Sequence, residues 1–317
     1  MSAYQVISVV GPTASGKSSL ADALCLRLGG EVVSADSMQV YRGMDIGTAK
    51  PTREELAAAP HHMIDVVDPD QMFTVSMYRE MACEAIDGIL SRGRMPLLVG
   101  GTGLYLQAIS YEMSLGDNGA DHALREELHR IAGEADGPKR LHERLQRVDP
   151  ASAEKLHPND IRRVIRALEI YATSGRAKSA QADEQRREGP YHVLVYGLSL
   201  PREMMYARIN ARVDEMVRNG LVGEVKGLLE RGIEPRPEGG AMQAIGYKEI
   251  VSALRGEMTL EKAVDLIKQG SRRYAKRQWT WFRHDPRTKW FDWTAYDSED
   301  ALINDLLRQI REDTQVS

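Results

Sequence analysis

Eight residues near the start of the chain, Gly11-Pro12-Thr13-Ala14-Ser15-Gly16-Lys17-Ser18, have the types and spacing to hold a phosphate chain. They fit GxxxxGK[ST], in which glycines let the backbone curl until successive N–H groups converge on phosphate oxygens. A helix opening at Gly16 adds its positive end, Lys17 adds a full charge, and Ser18 offers a hydroxyl to Mg²⁺. The pattern specifies a di- or triphosphate and does not specify a nucleotide. A glycine-rich turn with an exposed lysine is the plain alternative. The position of the loop, after an apolar strand and before a helix, argues against it.

A P-loop hydrolase carries an aspartate after an apolar strand to organise Mg²⁺ and water. Here residues 96–99 run instead into Gly100-Gly101-Thr102-Gly103, and no NKxD guanine-reading motif occurs. Hydrolysis is not the expected chemistry. Asp36, at the end of the second apolar run, falls beside the phosphate loop if the sheet is parallel. A carboxylate there has three uses: general base, organiser of Mg²⁺, or cap of its own turn.

These residues need a scaffold. Apolar runs at residues 5–10, 31–35, 95–99 and 192–198 read as strands, and residues 75–91 and those from 104 onward read as helices. Apolar strands alternating with helices predict an α/β fold, a P-loop parallel sheet covered on both faces. Between residues 113 and 190 no strand is expected. Helical stretches at 120–135, 138–148, 151–156 and 161–174 predict an all-helical insertion, with a polar, disordered stretch near 178–189. The expected organisation is core 1–112, insertion 113–190, and core again 191–317, the last part mostly helical from residue 201.

The composition, 42% hydrophobic and 28% charged, suits a soluble globular protein with a buried core. No apolar run reaches the ~20 residues of a membrane span. The first ten residues lack a basic, cleavable leader, so the expected place is a reducing cytoplasm. The two cysteines, Cys25 and Cys83, form no CxxC pair and are expected as buried reduced thiols. A net charge of −4 hides an uneven distribution. From Lys268 to Lys289 run Lys268, Arg272, Arg273, Lys276, Arg277, Arg283, Arg287 and Lys289 against Asp285 alone, and Trp279, Trp281, Trp290 and Trp293 fall in or just after this stretch. Such a segment offers cations to phosphates and rings to bases. The plain alternative is an amphipathic helix with solvated charges, in which Tyr274 and Trp281, seven apart, are packing residues.

Beyond the phosphate loop, several blocks resemble the tRNA dimethylallyltransferase (tRNA isopentenyltransferase) family. They are Ser34-Ala35-Asp36-Ser37-Met38-Gln39-Val40-Tyr41-Arg42 with Asp45-Ile46-Gly47-Thr48-Ala49-Lys50-Pro51, Gly100-Gly101-Thr102-Gly103-Leu104-Tyr105-Leu106, His157-Pro158-Asn159-Asp160, Gln243-Ala244-Ile245-Gly246-Tyr247-Lys248-Glu249, and Lys276-Arg277-Gln278 with Trp281-Phe282-Arg283. They occur in family order from Gly11 to Arg283, while residues 177–189 match little. The resemblance implies a P-loop core with a helical insertion. It also implies transfer of a dimethylallyl group from dimethylallyl diphosphate, with Mg²⁺, to the exocyclic amine of the adenosine just 3′ of the anticodon, in tRNAs reading codons that begin with U. Family members with a zinc finger carry it after the core, and no cysteine follows Cys83, so the bacterial form is expected.

The same resemblance implies roles. Asp36 is the general base, and Thr102 and Arg212 complete the diphosphate clamp, although Arg208 lies one turn from Arg212 on the same face. Asp36, Ser37, Met38 and Gln39 line the base pocket with Thr102. Arg162, Arg163, Val164, Ile165 and Arg166 meet the anticodon stem-loop. So do Met242, Gln243, Ala244, Ile245, Gly246 and Tyr247, and Ala275, Lys276, Arg277, Gln278, Trp279, Thr280, Trp281 and Phe282. The expected partners are tRNA and dimethylallyl diphosphate, with no membrane, and the chain acts as a monomer. Two other classes share the phosphate loop. A small-molecule kinase explains the loop and Asp36 but not the basic-aromatic segment; a nucleotide-gated RNA-binding module binds tRNA without changing its mass.

Overall fold

The structure, a computed structural model, describes residues 4–112, 122–181, 187–236 and 240–315. Six parallel strands form one sheet: β1 (Tyr4–Val10), β2 (Gly30–Ser34), β3 (His61–His62), β4 (Met95–Gly100), β5 (Tyr191–Ser199) and β6 (Lys289–Asp292), in the order β3-β2-β4-β1-β5-β6. The strands are continuously apolar because both faces are covered. On one face Ile7 and Val9 pack with Leu20 and Leu24 of α1 (Lys17–Leu28) and Leu306 of the last helix. On the other, Val6 and Val10 pack with Ile86 and Ile89. Successive residues of β1 thus feed two cores, as the two-residue strand period requires.

The connecting helices are α2 (Arg53–Ala58), α3 (Val75–Ser91) and α4 (Gly103–Ser110), then α5 (His122–Ala132), α6 (Gly137–Val148), α7 (Pro150–Lys155), α8 (Ile161–Ser174) and α9 (Lys178–Gln181) before β5. After β5 come α10 (Arg202–Arg218), α11 (Leu221–Glu230), α12 (Tyr247–Leu254), α13 (Leu260–Arg283) and, past β6, α14 (Glu299–Gln315). A third apolar cluster joins α10 to α13 with Val40, Tyr41 and Met44 from the segment after β2.

The chain divides into two compact units, Met1–Ser110 with Pro190–Ser317, and Tyr111–Gly189. The second has its own core of Leu128, Leu141, Leu145, Val164, Ile165 and Leu168. Glu169, buried there, accepts from Arg125 at 2.5 and 3.0 Å and from Arg166 at 3.3 Å. Asp149, fully buried, accepts from the backbone and hydroxyl of Ser179 and the backbone of Ser152. Those bonds draw α9 onto this unit, so Lys178–Gln181 are helical where disorder was expected; residues 182–186 of that expectation lie outside the described residues.

Two strands escaped the sequence reading. β3 is two histidines, with no apolar run to mark it. β6 is Lys-Trp-Phe-Asp, too short for a pattern and hidden in a segment read as helical. Cys25 is buried, Cys83 half-buried, and both are free. Among the described residues no helix is long and apolar enough to cross a membrane.

Candidate active site

The phosphate loop leaves β1 and enters α1 as its mechanism requires. Gly16, at φ +88°, caps α1 with no side chain, and Ala14 adopts φ +63°, a left-handed conformation that costs a non-glycine residue of order 1–3 kcal/mol. A side chain at Gly16 would lie 2.9 Å from the Trp293 ring, so the loop rests on the turn after β6. Ser15 Oγ is buried without a hydrogen-bond partner. Lys17 Nζ donates to Pro12 O at 3.4 Å. Burial first, and the nearby Arg212 charge second, pull the Lys17 pKa down to about 8, with Asp36 opposing them. An arriving anion reverses that balance.

Asp36 follows β2. Its Oδ1 accepts the Met38 N–H at 2.9 Å, so one oxygen does cap the turn. The turn at Gly100 must pass close by: a Cβ there would sit 2.2 Å from Ala35 O. Thr102 N donates to Ala35 O at 3.0 Å, and Thr102 Oγ1 accepts from Ser37 N at 3.1 Å. The end of β2 and the turn after β4 are thereby stitched together. Tyr274 of α13 lines the same cleft, where burial and the Asp36 charge push its phenol up to about 12.

Gln278, buried, bridges two loops. Its Oε1 accepts from Thr13 N at 2.9 Å, and its Nε2 donates to Gly101 O at 3.0 Å. It was expected at the RNA surface, and its position explains why it is not there: both ends of its amide are used inside. Arg212, half-buried on α10, lines the cleft; burial lowers its pKa and Asp36 raises it. Arg208 instead lies over the Trp293 ring at 5.7 Å and does not line the cleft.

One cavity therefore gathers Thr13, Lys17, Ser18, Asp36, Gln39 and Arg212, with Ser34, Thr48, Tyr274 and Gln278. It also holds two residues the sequence reading missed, Asp22 and His61. Asp22 lies one helical turn after Ser18, a spacing that could have drawn notice. His61 Nδ1 is 2.7 Å from Ala59 O and Nε2 is 3.3 Å from Asp22 Oδ1. Both neighbours are acceptors, an arrangement that favours a proton on each ring nitrogen. Burial works against that charge, but Asp22 and the Ala59 carbonyl outweigh it and the pKa is raised. Asp22 Oδ1 is buried and makes no well-formed hydrogen bond.

Oxygen donors of this kind suit a hard divalent cation. Among the described residues no three His, Cys, Asp or Glu side chains converge on a metal position. Ser18 and Asp22 would hold such an ion only together with phosphate oxygens.

Of the residues expected to meet RNA, Val164, Ile165, Met242, Tyr247, Ala275 and Phe282 have side chains buried in the cores. Their helices need them for packing, since each lies on the apolar stripe. Arg162, Arg163, Arg166, Lys276, Arg277, Thr280 and Trp281 are exposed on the same helices, and Gln243, Ala244, Ile245 and Trp279 are half-buried. The aromatic expectation is partly reversed. Trp281 is 41% exposed, over Gly103, whereas Trp279 packs on Trp290 at 4.6 Å between centroids and Trp293 supports the phosphate loop. Tyr274 lines the cleft rather than the core.

Comparison with known proteins converges on one group. The family model described as IPP transferase matches residues 39–285, and that described as isopentenyl transferase matches residues 4–66. A tRNA dimethylallyltransferase of Oceanobacillus iheyensis is 46% identical over 308 residues, covering 97% of this chain and 96% of the relative. One of Desulforudis audaxviator is 51% identical over 287 residues, covering 90% and 91%. The crystal structure of the full-length tRNA isopentenylpyrophosphate transferase of Bacillus halodurans superposes with a TM-score of 0.72 at 45% identity, covering 98% of each chain. A eukaryotic dimethylallyltransferase acting on tRNA superposes with a TM-score of 0.78 at 33% identity, covering 91% of this chain and 74% of that one.

Proposed function

The chain belongs to the IPP transferase family, and from that premise and the cleft we infer that it transfers a dimethylallyl group to the exocyclic amine of the adenosine just 3′ of a tRNA anticodon. It is an enzyme, a prenyltransferase acting on tRNA. The observation that carries the site assignment is that the phosphate loop, Arg212 and Asp36 line one cavity. A tRNA substrate argues for the cytoplasm.

The donor we assign is dimethylallyl diphosphate. Lys17, the N–H groups at the start of α1 and Arg212 hold its diphosphate and stabilise the charge that grows as the allylic C–O bond breaks. Burial lowers the pKa of both Lys17 and Arg212, and the Arg212 charge lowers that of Lys17 further, so a polyanion between them offsets that repulsion. Ser18 and Asp22 would hold Mg²⁺, which when bound neutralises part of the leaving group.

The acceptor amine is a weak nucleophile because its lone pair is delocalised into the ring. Asp36 takes the amine proton as nitrogen bonds to the allylic carbon, and diphosphate departs with the C–O electrons. Thr102 holds the turn that keeps Asp36 in register. The base must leave its stack to reach this cavity, at a cost of a few kcal/mol. Exposed Arg162, Arg163, Arg166, Lys276 and Arg277 supply the phosphate contacts we assign to the stem-loop. The segment of residues 242–247 offers Gln243 and Ile245 at its surface.

The test is incubation with dimethylallyl diphosphate, Mg²⁺ and bulk tRNA, followed by nucleoside mass analysis. An added C₅H₈ on adenosine is expected; unchanged nucleosides exclude the reading. Asp36→Ala is expected to lower kcat by roughly 10²–10⁴-fold while the protein stays folded. Near-normal turnover removes the base assignment.

A further inference from the structure

Glu224, on α11, spends its carboxylate on a loop of the catalytic unit. Its Oε2 accepts the N–H groups of Asp45 and Ile46, both at 2.8 Å, and its Oε1 accepts Gly47 N–H at 3.1 Å and the Tyr247 hydroxyl at 2.6 Å. Four donors thus converge on one carboxylate, each bond charge-assisted and roughly twice as strong as a neutral one. Gly47 has no room for a side chain, because a Cβ would lie 2.5 Å from the Tyr247 ring. Tyr247 is fully buried, so its ring presses on the loop while its hydroxyl is tied to Glu224.

The other side of the same loop is held by Gln39. Its Nε2 donates to Ala49 O at 3.2 Å and Thr48 O at 3.4 Å, and its Oε1 accepts from the Ser34 hydroxyl at 2.9 Å. Gln39, expected to line the base pocket, lines the cavity and at the same time braces this loop with its amide. The loop is no bystander: Thr48 and Pro51 line the cavity together with Asp36. It is bonded to the segment of residues 34–39, and none of these bonds runs to the phosphate loop.

We propose that Glu224 is a positioning residue for the transfer reaction, clamping residues 44–51 into the acceptor wall of the cleft, with Tyr247 linking that clamp to the segment of residues 242–247. This deepens, and rests on, the functional reading above. Tyr247 follows directly on Gln243 to Gly246, the segment expected to meet tRNA, so docking of RNA there and shaping of the wall share one side chain. The clamp acts on the acceptor and leaves the diphosphate end alone.

The experiment is steady-state kinetics on wild type, Glu224→Gln, Tyr247→Phe and the double variant, varying an anticodon stem-loop tRNA and dimethylallyl diphosphate separately. Thermal shift with inorganic diphosphate and Mg²⁺ is measured in parallel. Glu224→Gln presents an amide N–H₂ to backbone donors, and the expected result is a KM for tRNA raised about tenfold, the equivalent of one lost charge-assisted bond. Tyr247→Phe keeps the ring on Gly47 and is expected to move the same constant about threefold. The double variant is expected to be no worse than Glu224→Gln, because both remove one relay. KM for dimethylallyl diphosphate and the diphosphate-induced shift stay at wild-type values. The proposal is overturned if both KM values rise together, if neither moves, or if activity falls only in proportion to the folded fraction. Should Glu224→Gln not fold, Tyr247→Phe decides by the same split. A wild type that leaves adenosine unmodified overturns the functional reading instead, before the variants are compared.

Discussion

Two stretches of backbone in the catalytic unit turn their N–H groups toward an anion, and they differ in where the anion comes from. At residues 45–47 it is built in: Glu224 fills the position with a carboxylate. At the phosphate loop the Thr13 N–H is taken by Gln278 Oε1, but among the described residues no carboxylate fills the rest. Gly16 offers no cap, the first N–H groups of α1 have no intrahelical acceptor, and Lys17 and Arg212 repel each other. The same physics closes one concavity and leaves the other demanding a ligand. A filled nest is a structural joint, and an open one is a binding site.

Substitutions at the open nest have the largest expected effect. Lys17→Ala removes a charge that acts most strongly on the departing diphosphate, and kcat/KM is expected to fall roughly 10²–10³-fold, with most of the loss in kcat. A small loss would mean that the backbone alone carries the leaving group. Next comes the pair of arginines. Arg212→Ala is expected to cost about tenfold to a hundredfold in turnover and Arg208→Ala at most about twofold, read by the same mass assay. Equal losses would move the clamp away from the cleft-lining residue. At the filled nest, Gly47→Ala drives a methyl into the Tyr247 ring, and overpacking of that kind costs about 1–3 kcal/mol. Thermal melting should fall, and diphosphate binding by calorimetry should not change.

The smallest effect concerns His61 beside the open nest. Its folded pKa is raised above the unfolded value, so the His61–Asp22 pair contributes stability that is fully present below the unfolded pKa near 6.5. That contribution is lost as pH rises through the folded pKa. Wild type minus His61→Gln melting temperature should therefore shrink from pH 6 toward pH 9. A difference that grows with pH would mean that His61 is neutral in the fold.

The phosphate loop's place between a strand and a helix was legible in the sequence because it is local, eight consecutive residues, whereas Asp22, His61 and Gln278 beside it were not. The parallel sheet was legible for the same reason, since each long strand announces itself by an apolar run. β3 and β6 were not, because two and four residues carry too little pattern. The filled nest could not be read at all. Glu224 lies far along the chain from Asp45, on an amphipathic helix where a glutamate ordinarily faces water, and only the packing of α11 against residues 45–47 and Tyr247 reveals its four donors. The basic-aromatic segment was misread in detail for a related reason. Helical spacing separates stripes, but it did not say that Trp281 lies exposed over Gly103 while Trp293 lies under Gly16.

The strand order has a consequence for biosynthesis. β1 sits between β4 and β5, and β5 begins only at Tyr191, after the helical unit has been made. A side chain at Gly11 would meet Leu198 O at 3.0 Å, and the support under Gly16 arrives with Trp293. A nascent chain thus carries its phosphate-binding sequence exposed from the outset but cannot shape it until nearly all residues have left the exit tunnel. Pairing so distant in sequence slows folding and leaves the edge of β1 open to wrong partners in the interval. The helical unit, whose contacts are local, has time to collapse while that edge waits.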